Sequence, residues 1–292
     1  MKRALLQLNA AVFLWGFTGV LGRLITMNET WLVWYRLLIT SATLWIGFLL
    51  LKKIKRLPLK SMLHIGAIGT IQALHWVCFY GSIKYANVTI ALTCLSTSAL
   101  LSSLLEPLIL KKEFDPIEIL LGLFAIAGIV IIYNTHLQFS IGIVIGLLSA
   151  LLTVIVSVLN KKMIGRYDSE SITLYQLSGG FIGLTILIPV LQKMFPAPYQ
   201  APAGMNWLWL IILSWVCTII TFFLYINSLK KVTAFTMNLT LTLEPIYGIA
   251  LAFFIFYENR YFSNWFYAGF GLIIFAVALH TVKILRPAPS IS

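Results

Sequence analysis

Long apolar runs separated by short polar joins follow one another along the whole chain: about 4–26, 31–51, 62–83, 88–110, 117–133, 140–160, 172–193, 206–229, 233–256 and 264–284. An α-helix needs roughly 20 apolar residues to cross a bilayer, so the pattern predicts ten membrane-spanning helices. The fifth run is short, and the joins at Asn87 and at Lys230-Lys231 are only a few residues long. The longest connection lies around Pro196, Pro198, Pro202 and Gly204 and leaves no room for a soluble domain. Lys2-Arg3 followed by apolar sequence resembles the start of a signal peptide. That first run is too long for one and has no small-residue cleavage site, so it reads as a retained first helix.

Composition agrees with the pattern. Of 292 residues, 60% are hydrophobic and 10% charged, and the mean hydropathy of +0.94 lies far outside the soluble globular range. The fold class expected is an all-α polytopic membrane protein. The net charge of +12 could suggest nucleic acid, but the basic residues are not gathered on one domain. No nucleic-acid partner is expected; the partners expected are membrane lipid and a small-molecule solute, with a homo-oligomer left open. With the N-terminus inside, sixteen of the 21 Lys and Arg fall on the cytoplasmic side, including Lys52 to Lys60, Lys111-Lys112, Lys161 to Arg166, Lys230-Lys231, Lys283 and Arg286. Arg23, Lys84, Lys193 and Arg260 fall on the other side, and Arg36 falls within the membrane. This positive-inside asymmetry predicts cytoplasmic termini; the location expected is a bacterial cytoplasmic (inner) membrane.

The chain also repeats itself. Leu8-Asn9-Ala10-Ala11 recurs as Leu148-Ser149-Ala150-Leu151, and Tyr35-Arg36 as Tyr175-Gln176, at one offset. Ser82-Ile83-Lys84-Tyr85 recurs as Ser228-Leu229-Lys230-Lys231, and Glu113 as Glu258. A repeat of five helices is odd, so the second copy enters the membrane from the opposite face. The pattern predicts two inverted five-helix repeats, residues 1–135 and 136–292. Inverted repeats are a transporter architecture with the substrate site near the midplane between the halves.

Those residues carry a family resemblance. Trp15-Gly16, Tyr35-Arg36, Tyr80-Gly81-Ser82-Ile83-Lys84-Tyr85, and Glu113 with Gly122 and Gly128, mark the first half. Ser228 to Ala234, Pro245, Glu258 and Gly269 mark the second. Over nearly its whole length the chain resembles the ten-helix EamA-type permeases of the drug/metabolite transporter superfamily. The resemblance implies alternating-access transport of small metabolites, in many members export. Two departures from the family pattern are that Lys112 and Tyr257, not glycine, precede Glu113 and Glu258, and that the pairs Glu106-Pro107 and Glu244-Pro245 are not repeat equivalents.

Candidate chemistry starts from charge within apolar runs. Glu244, followed by Pro245, lies midway in the uncharged run Val232–Tyr257, and a carboxylate at that depth is costly enough to mark a functional site. At helical spacing Thr233, Thr236, Thr240, Glu244 and Tyr247 form one stripe. Arg36 could receive a substrate carboxylate in bidentate fashion and shares a stripe with Thr40, Thr43 and Gly47; the alternative is a charge that snorkels to the outer surface. Glu106, near Lys111 and Lys112, reads as a structural pair. Gln72, His75, Trp76 and Phe79 share one face of the third helix, and Trp215, Thr218, Phe222 and Tyr225 one face of the eighth. Aromatic faces of this kind could hold a cationic or aromatic solute or could simply be packing. His75 could relay protons or be a hydrogen-bonded packing residue; His64, His136 and His280 carry no signal. The resemblance adds Trp15 and Tyr80. Ser and Thr elsewhere, such as Ser96 and Ser103 in the fourth helix and Ser149, Thr153 and Ser157 in the sixth, read as helix-packing groups.

Cys78, Cys94 and Cys217 lack paired spacing, so no disulfide or metal site is expected. No nucleotide loop or hydrolase motif appears, and the only aspartates, Asp115 and Asp168, lie in joins. No cofactor and no enzyme activity are expected. The function expected is secondary transport of a small polar metabolite such as an amino acid. Runners-up are a carrier of cationic amines or quaternary ammonium solutes and, in another class, an intramembrane enzyme.

Overall fold

Helix follows helix in the computed structural model, which describes residues 2–111, 116–163, 166–194, 197–221, 223–224 and 243–285. α1 (Lys2–Leu24) and α2 (Glu29–Leu50) match the first two apolar runs. Asn28 opens α2 by accepting the Thr30 N–H at 2.9 Å, the usual way to satisfy an orphan donor at a helix start. α3 (Leu59–Tyr85) is longer than its apolar run. The fourth run forms two helices, α4 (Val88–Ser96) and α5 (Ser98–Leu110). The apolar pattern predicts one helix there. The break falls where Ser96 and Thr97 turn their hydroxyls onto the Thr93 and Cys94 carbonyls, both at 2.6 Å, a back-bonding that bends helices.

α6 (Pro116–Thr135), α7 (Ser140–Met163) and α8 (Ser169–Met194) continue the series. α9 (Met205–Ile211) runs directly into a π-helical segment, Ile212–Ile220. α10 (Leu243–Phe256), a 3-10 turn (Glu258–Tyr261) and α11 (Asn264–Leu285) complete the described chain. No strand occurs among the described residues. Five helices are each long and apolar enough to cross a membrane, and the remaining described spans are shorter apolar helices.

The helix pairings carry the repeat into three dimensions. α3 packs on α8, and α2 on the π-segment; α1 packs on α10, and α7 on α4 and α5; α3 packs on α7, and the π-segment on α1. Advancing each span by five turns one member of every pair of contacts into the other, and α6 with α11 maps onto itself. Two five-helix halves related by a two-fold axis produce that pattern. At the α6–α11 crossing a methyl on Gly128 would sit 2.5 Å from the Gly269 carbonyl oxygen, and one on Gly269 2.6 Å from that of Gly128. Bare backbone on both sides is how helices approach closely where no hydrophobic effect drives them together.

The two ends of the bundle are tied differently. At one end Lys55 pairs with Asp168 at 3.5 Å, Ser61 meets Tyr167 at 2.7 Å, and Lys162 reaches the Ile109 carbonyl at 3.3 Å. At the other, Lys84 donates to the Ile25 carbonyl at 3.1 Å and to that of Met27. There too Asn28 N–H meets Gln200 at 2.9 Å and Thr26 N–H meets Asn206 at 3.1 Å. His136, unremarkable in sequence, is buried at this end and accepts the Ser263 N–H through Nε2 at 3.4 Å while stacking on Phe139.

Candidate functional site

Arg36 sits two turns into α2, 3% exposed. Its Nε and Nη2 both donate to one oxygen, Thr218 Oγ1, at 3.1 and 2.9 Å, and its Nη1 donates to the Tyr80 hydroxyl at 2.9 Å. The guanidinium carbon lies 3.9 Å from the centre of the Trp76 ring, a cation–π contact of about 0.5–2 kcal/mol. All three hydrogen bonds therefore end on two neutral oxygens, and Arg36 forms no ion pair among the described residues. A buried cation without a counter-anion is costly, and the arrangement relieves that cost only in part. Nor does the side chain snorkel, since α3 and the π-segment close over it.

Tyr80 is fully buried, and its hydroxyl accepts from Arg36. It lies within electrostatic reach of Arg36, Cys217 and Glu244 together. Room for its ring comes from Gly22 on α1, where any side chain would strike it. Glu244 is in the first described turn of α10 and partly buried. A methyl at Gly16 would stand 3.3 Å from the Glu244 carbonyl oxygen and 3.1 Å from the Tyr247 Cβ, so the glycine lets α1 lie against α10 at the depth of the carboxylate. Tyr247 is partly buried and packs edge-on against Phe13, ring centres 5.7 Å apart. Trp15, next to Gly16 on α1, is partly buried.

His75 and Phe79 form a second layer beneath the aromatic contacts. His75 Nδ1 lies 2.9 Å from both the carbonyl and the hydroxyl oxygen of Ser149 on α7. Ser149 Oγ also donates to the His75 carbonyl at 3.2 Å. These bonds bind α3 to α7. Phe79 is buried between His75 and Tyr80, ring centres 6.3 and 5.4 Å away.

The structure thus brings Arg36, Trp76, Tyr80 and Thr218 into contact, with Glu244 nearby and His75 and Phe79 behind. Trp215 stands apart: its indole N–H donates to Thr43 Oγ1 at 3.1 Å, and the residue is 47% exposed. Phe222, Tyr225 and Thr240 lie outside the described residues, as do Thr233, Thr236, Glu113 and the side chains of Ser103 and Glu106. Cys78, Cys94 and Cys217 are free thiols. No cluster of potential metal ligands occurs among the described residues.

Sequence reasoning placed Thr218 on an aromatic face but missed its contact with Arg36, 182 residues away, and missed that the segment carrying it is not an ordinary α-helix. In the π-segment the Thr221 N–H reaches back to the Val216 carbonyl and Thr218 Oγ1 donates to the Leu213 carbonyl at 2.8 Å, each five residues earlier. Short π-helical stretches gather at functional sites. Glu258 was also missed as a structural centre. It is fully buried, pairs with Arg23, and accepts Val88 N–H at 3.1 Å, Thr89 N–H at 2.8 Å and Thr89 Oγ1 at 2.6 Å. A carboxylate on those donors caps the N-terminus of α4.

Comparison with known proteins gives a consistent result. The EamA-like transporter family matches residues 2–134 and again residues 140–282. The uncharacterized transporter YxxF of Bacillus subtilis (strain 168) is 24% identical over 258 residues, 85% of this chain and 80% of that protein. An uncharacterized transporter of Archaeoglobus fulgidus is 25% identical over 266 residues, 86% and 87% of the two chains. A crystal structure shares the fold, with a TM-score of 0.63 at 18% identity over 98% of this chain and 99% of its own.

Proposed function

The chain belongs to the EamA-like transporter family, and with it to the drug/metabolite transporter superfamily, and we propose on that premise that it carries a small polar metabolite bearing a carboxylate, such as an amino acid, by alternating access. The single observation that supports this substrate class is the buried Arg36 guanidinium, hydrogen-bonded only to the neutral hydroxyls of Thr218 and Tyr80. A solute carboxylate supplies the missing negative charge, and the planar fork of arginine matches it on two bonds. Glu244, within electrostatic reach of Tyr80, receives the solute's amine or carries the coupling proton, so that proton and substrate compete for one carboxylate. Arg36 already covers one face of Trp76, and that face is closed to a cationic amine. That favours the carboxylate reading over the quaternary ammonium one.

Each half, residues 1–135 and 136–292, acts as one repeat in this reading, and rocking between them exposes the site first to one side and then to the other. Export, a cytoplasmic membrane location and cytoplasmic termini are part of the same proposal. The last is supported by the basic joins around Lys55, Lys162 and Asp168, which share one end of the bundle.

The test is solute flux in liposomes, with candidates first chosen by thermal shift over a metabolite panel, since ligands of the folded state raise apparent stability. Glu244→Gln preserves shape and removes the charge; it is expected to abolish proton-coupled flux while the protein still folds. A variant that transports at the wild-type rate with the wild-type pH profile returns Glu244 to a structural role. Chemical conversion of the solute without flux would overturn the transporter mechanism in favour of an enzyme.

A further inference from the structure

Thr218 occupies the edge of Arg36 that a carboxylate uses. Nε and Nη2 form the side of a guanidinium that grips the two oxygens of a carboxylate in parallel, and here both converge on one hydroxyl oxygen. That hydroxyl is oriented for the task, because its own hydrogen is committed to the Leu213 carbonyl at 2.8 Å, so its lone pairs face the arginine. The Leu213 bond spans five residues and exists only in the wide π-turn; in an α-helix a threonine bonds back three or four residues instead. Ser214, one turn earlier on the same segment, donates to the Arg36 backbone carbonyl at 3.3 Å. The π-segment therefore holds Arg36 by main chain and side chain at once.

The acceptor left by Ser214 already has a replacement in place. Thr40 lies one turn beyond Arg36 on α2, is fully buried, and its Oγ1 has no hydrogen-bond partner among the described residues. Its normal helical acceptor is the carbonyl four residues back, that of Arg36, where Ser214 now sits. Two arrangements of comparable bonding are thus available: Ser214 and Thr218 on Arg36 with Thr40 unsatisfied, or solute carboxylate on Arg36 with Thr40 on the Arg36 carbonyl.

We propose that Thr218 is a placeholder for the substrate carboxylate: binding displaces its hydroxyl from Arg36, and the released π-segment, Ile212–Ile220, rewinds toward α-helix. The inference rests on the reading of Arg36 as the carboxylate site. It adds the link between occupancy and motion, since a solute moves an equilibrium only by binding one state better than the other, and here the two states differ in what Arg36 holds.

The test uses acetate, the smallest probe of the carboxylate edge, on purified full-length protein, with affinity read by saturation-transfer NMR. Thr218→Val keeps the shape of the side chain and removes the competing oxygen. It is expected to tighten acetate about tenfold, the factor equivalent to roughly 1.4 kcal/mol, while Thr218→Ser stays near wild type. Thr218→Ala replaces Thr218→Val if the latter is not monodisperse. In liposomes carrying a solute found by the thermal-shift panel, Thr218→Val should lower both the half-saturating concentration and the maximal rate, because the empty site no longer resets; a structural defect would lower the rate alone. If acetate binds wild type and Thr218→Val no better than Arg36→Gln, the carboxylate reading of Arg36 falls, and this inference with it. If binding requires Arg36 but Thr218→Val has wild-type affinity, the carboxylate reading stands and the placeholder is overturned.

Discussion

Replacing Glu258 by glutamine should destabilise the bundle at one identifiable joint. The carboxylate is fully buried and takes four donors: Arg23, the Val88 and Thr89 N–H groups, and the Thr89 hydroxyl. A hydrogen bond to a charged group contributes about 1.5–3 kcal/mol, and removing one partner of a buried pair costs about 3–5 kcal/mol. Two features lower that figure. The Arg23 side chain is 36% exposed and stays partly hydrated, and the amide oxygen of glutamine can still accept one or two of the donors. The net expectation is about 2–4 kcal/mol, or a fall of roughly 3–7 °C in apparent melting temperature for a chain of this size. The assay is thermal unfolding in detergent of Glu258→Gln, Arg23→Gln and the double variant. The double variant should lose less than the sum of the singles, with a coupling of about 1 kcal/mol or more. Single variants that both melt within a degree of wild type would refute the view that this carboxylate joins α1, α4 and the turn after α10.

Arg36→Lys should weaken binding of the transported solute about tenfold or more at normal expression, because a lysine cannot reproduce the planar two-pronged contact; unchanged affinity would make Arg36 structural. Asp168 caps α8 through the Ser171 N–H at 3.3 Å and hydroxyl at 2.8 Å. Partial burial pushes its carboxyl up, but the Ser171 hydrogen bonds and the Lys55 ammonium outweigh that and hold it below the ordinary 3.8. A carboxyl depressed in the folded state stabilises above its unfolded value and loses that contribution as pH falls through the folded one. Asp168→Ala should therefore cost about 1 kcal/mol at neutral pH, and the gap to wild type in a pH series of melting curves should close at acid pH. Cysteines introduced as Ala203→Cys and Lys53→Cys should label from outside and inside the cell respectively; the reverse would invert the topology.

Hydropathy alone determined that this is a helical membrane protein and where most of its spans lie, because the bilayer acts on each segment separately and its thickness sets the length each must reach. The repeat was also legible, in short strings such as Ser82 to Tyr85 and Ser228 to Lys231, and so was the cost of Arg36 and Glu244 as charges inside apolar runs. What joins the charges to their partners was not legible. Thr218 is 182 residues from Arg36, and Glu258 is 235 residues from Arg23, distances over which local pattern carries no information on contact. A helical wheel also assumes ordinary pitch. It puts Trp215 and Thr218 on one face, and both do meet the Arg36–Thr43 stripe of α2, but the five-residue bond of Thr218 to the Leu213 carbonyl belongs to the wide π-turn, which no wheel drawn at ordinary pitch contains. Sequence supplied Arg36 and Glu244 as charges within apolar runs; only the packing of α2, α3 and the π-segment decided that Arg36 is held by neutral hydroxyls.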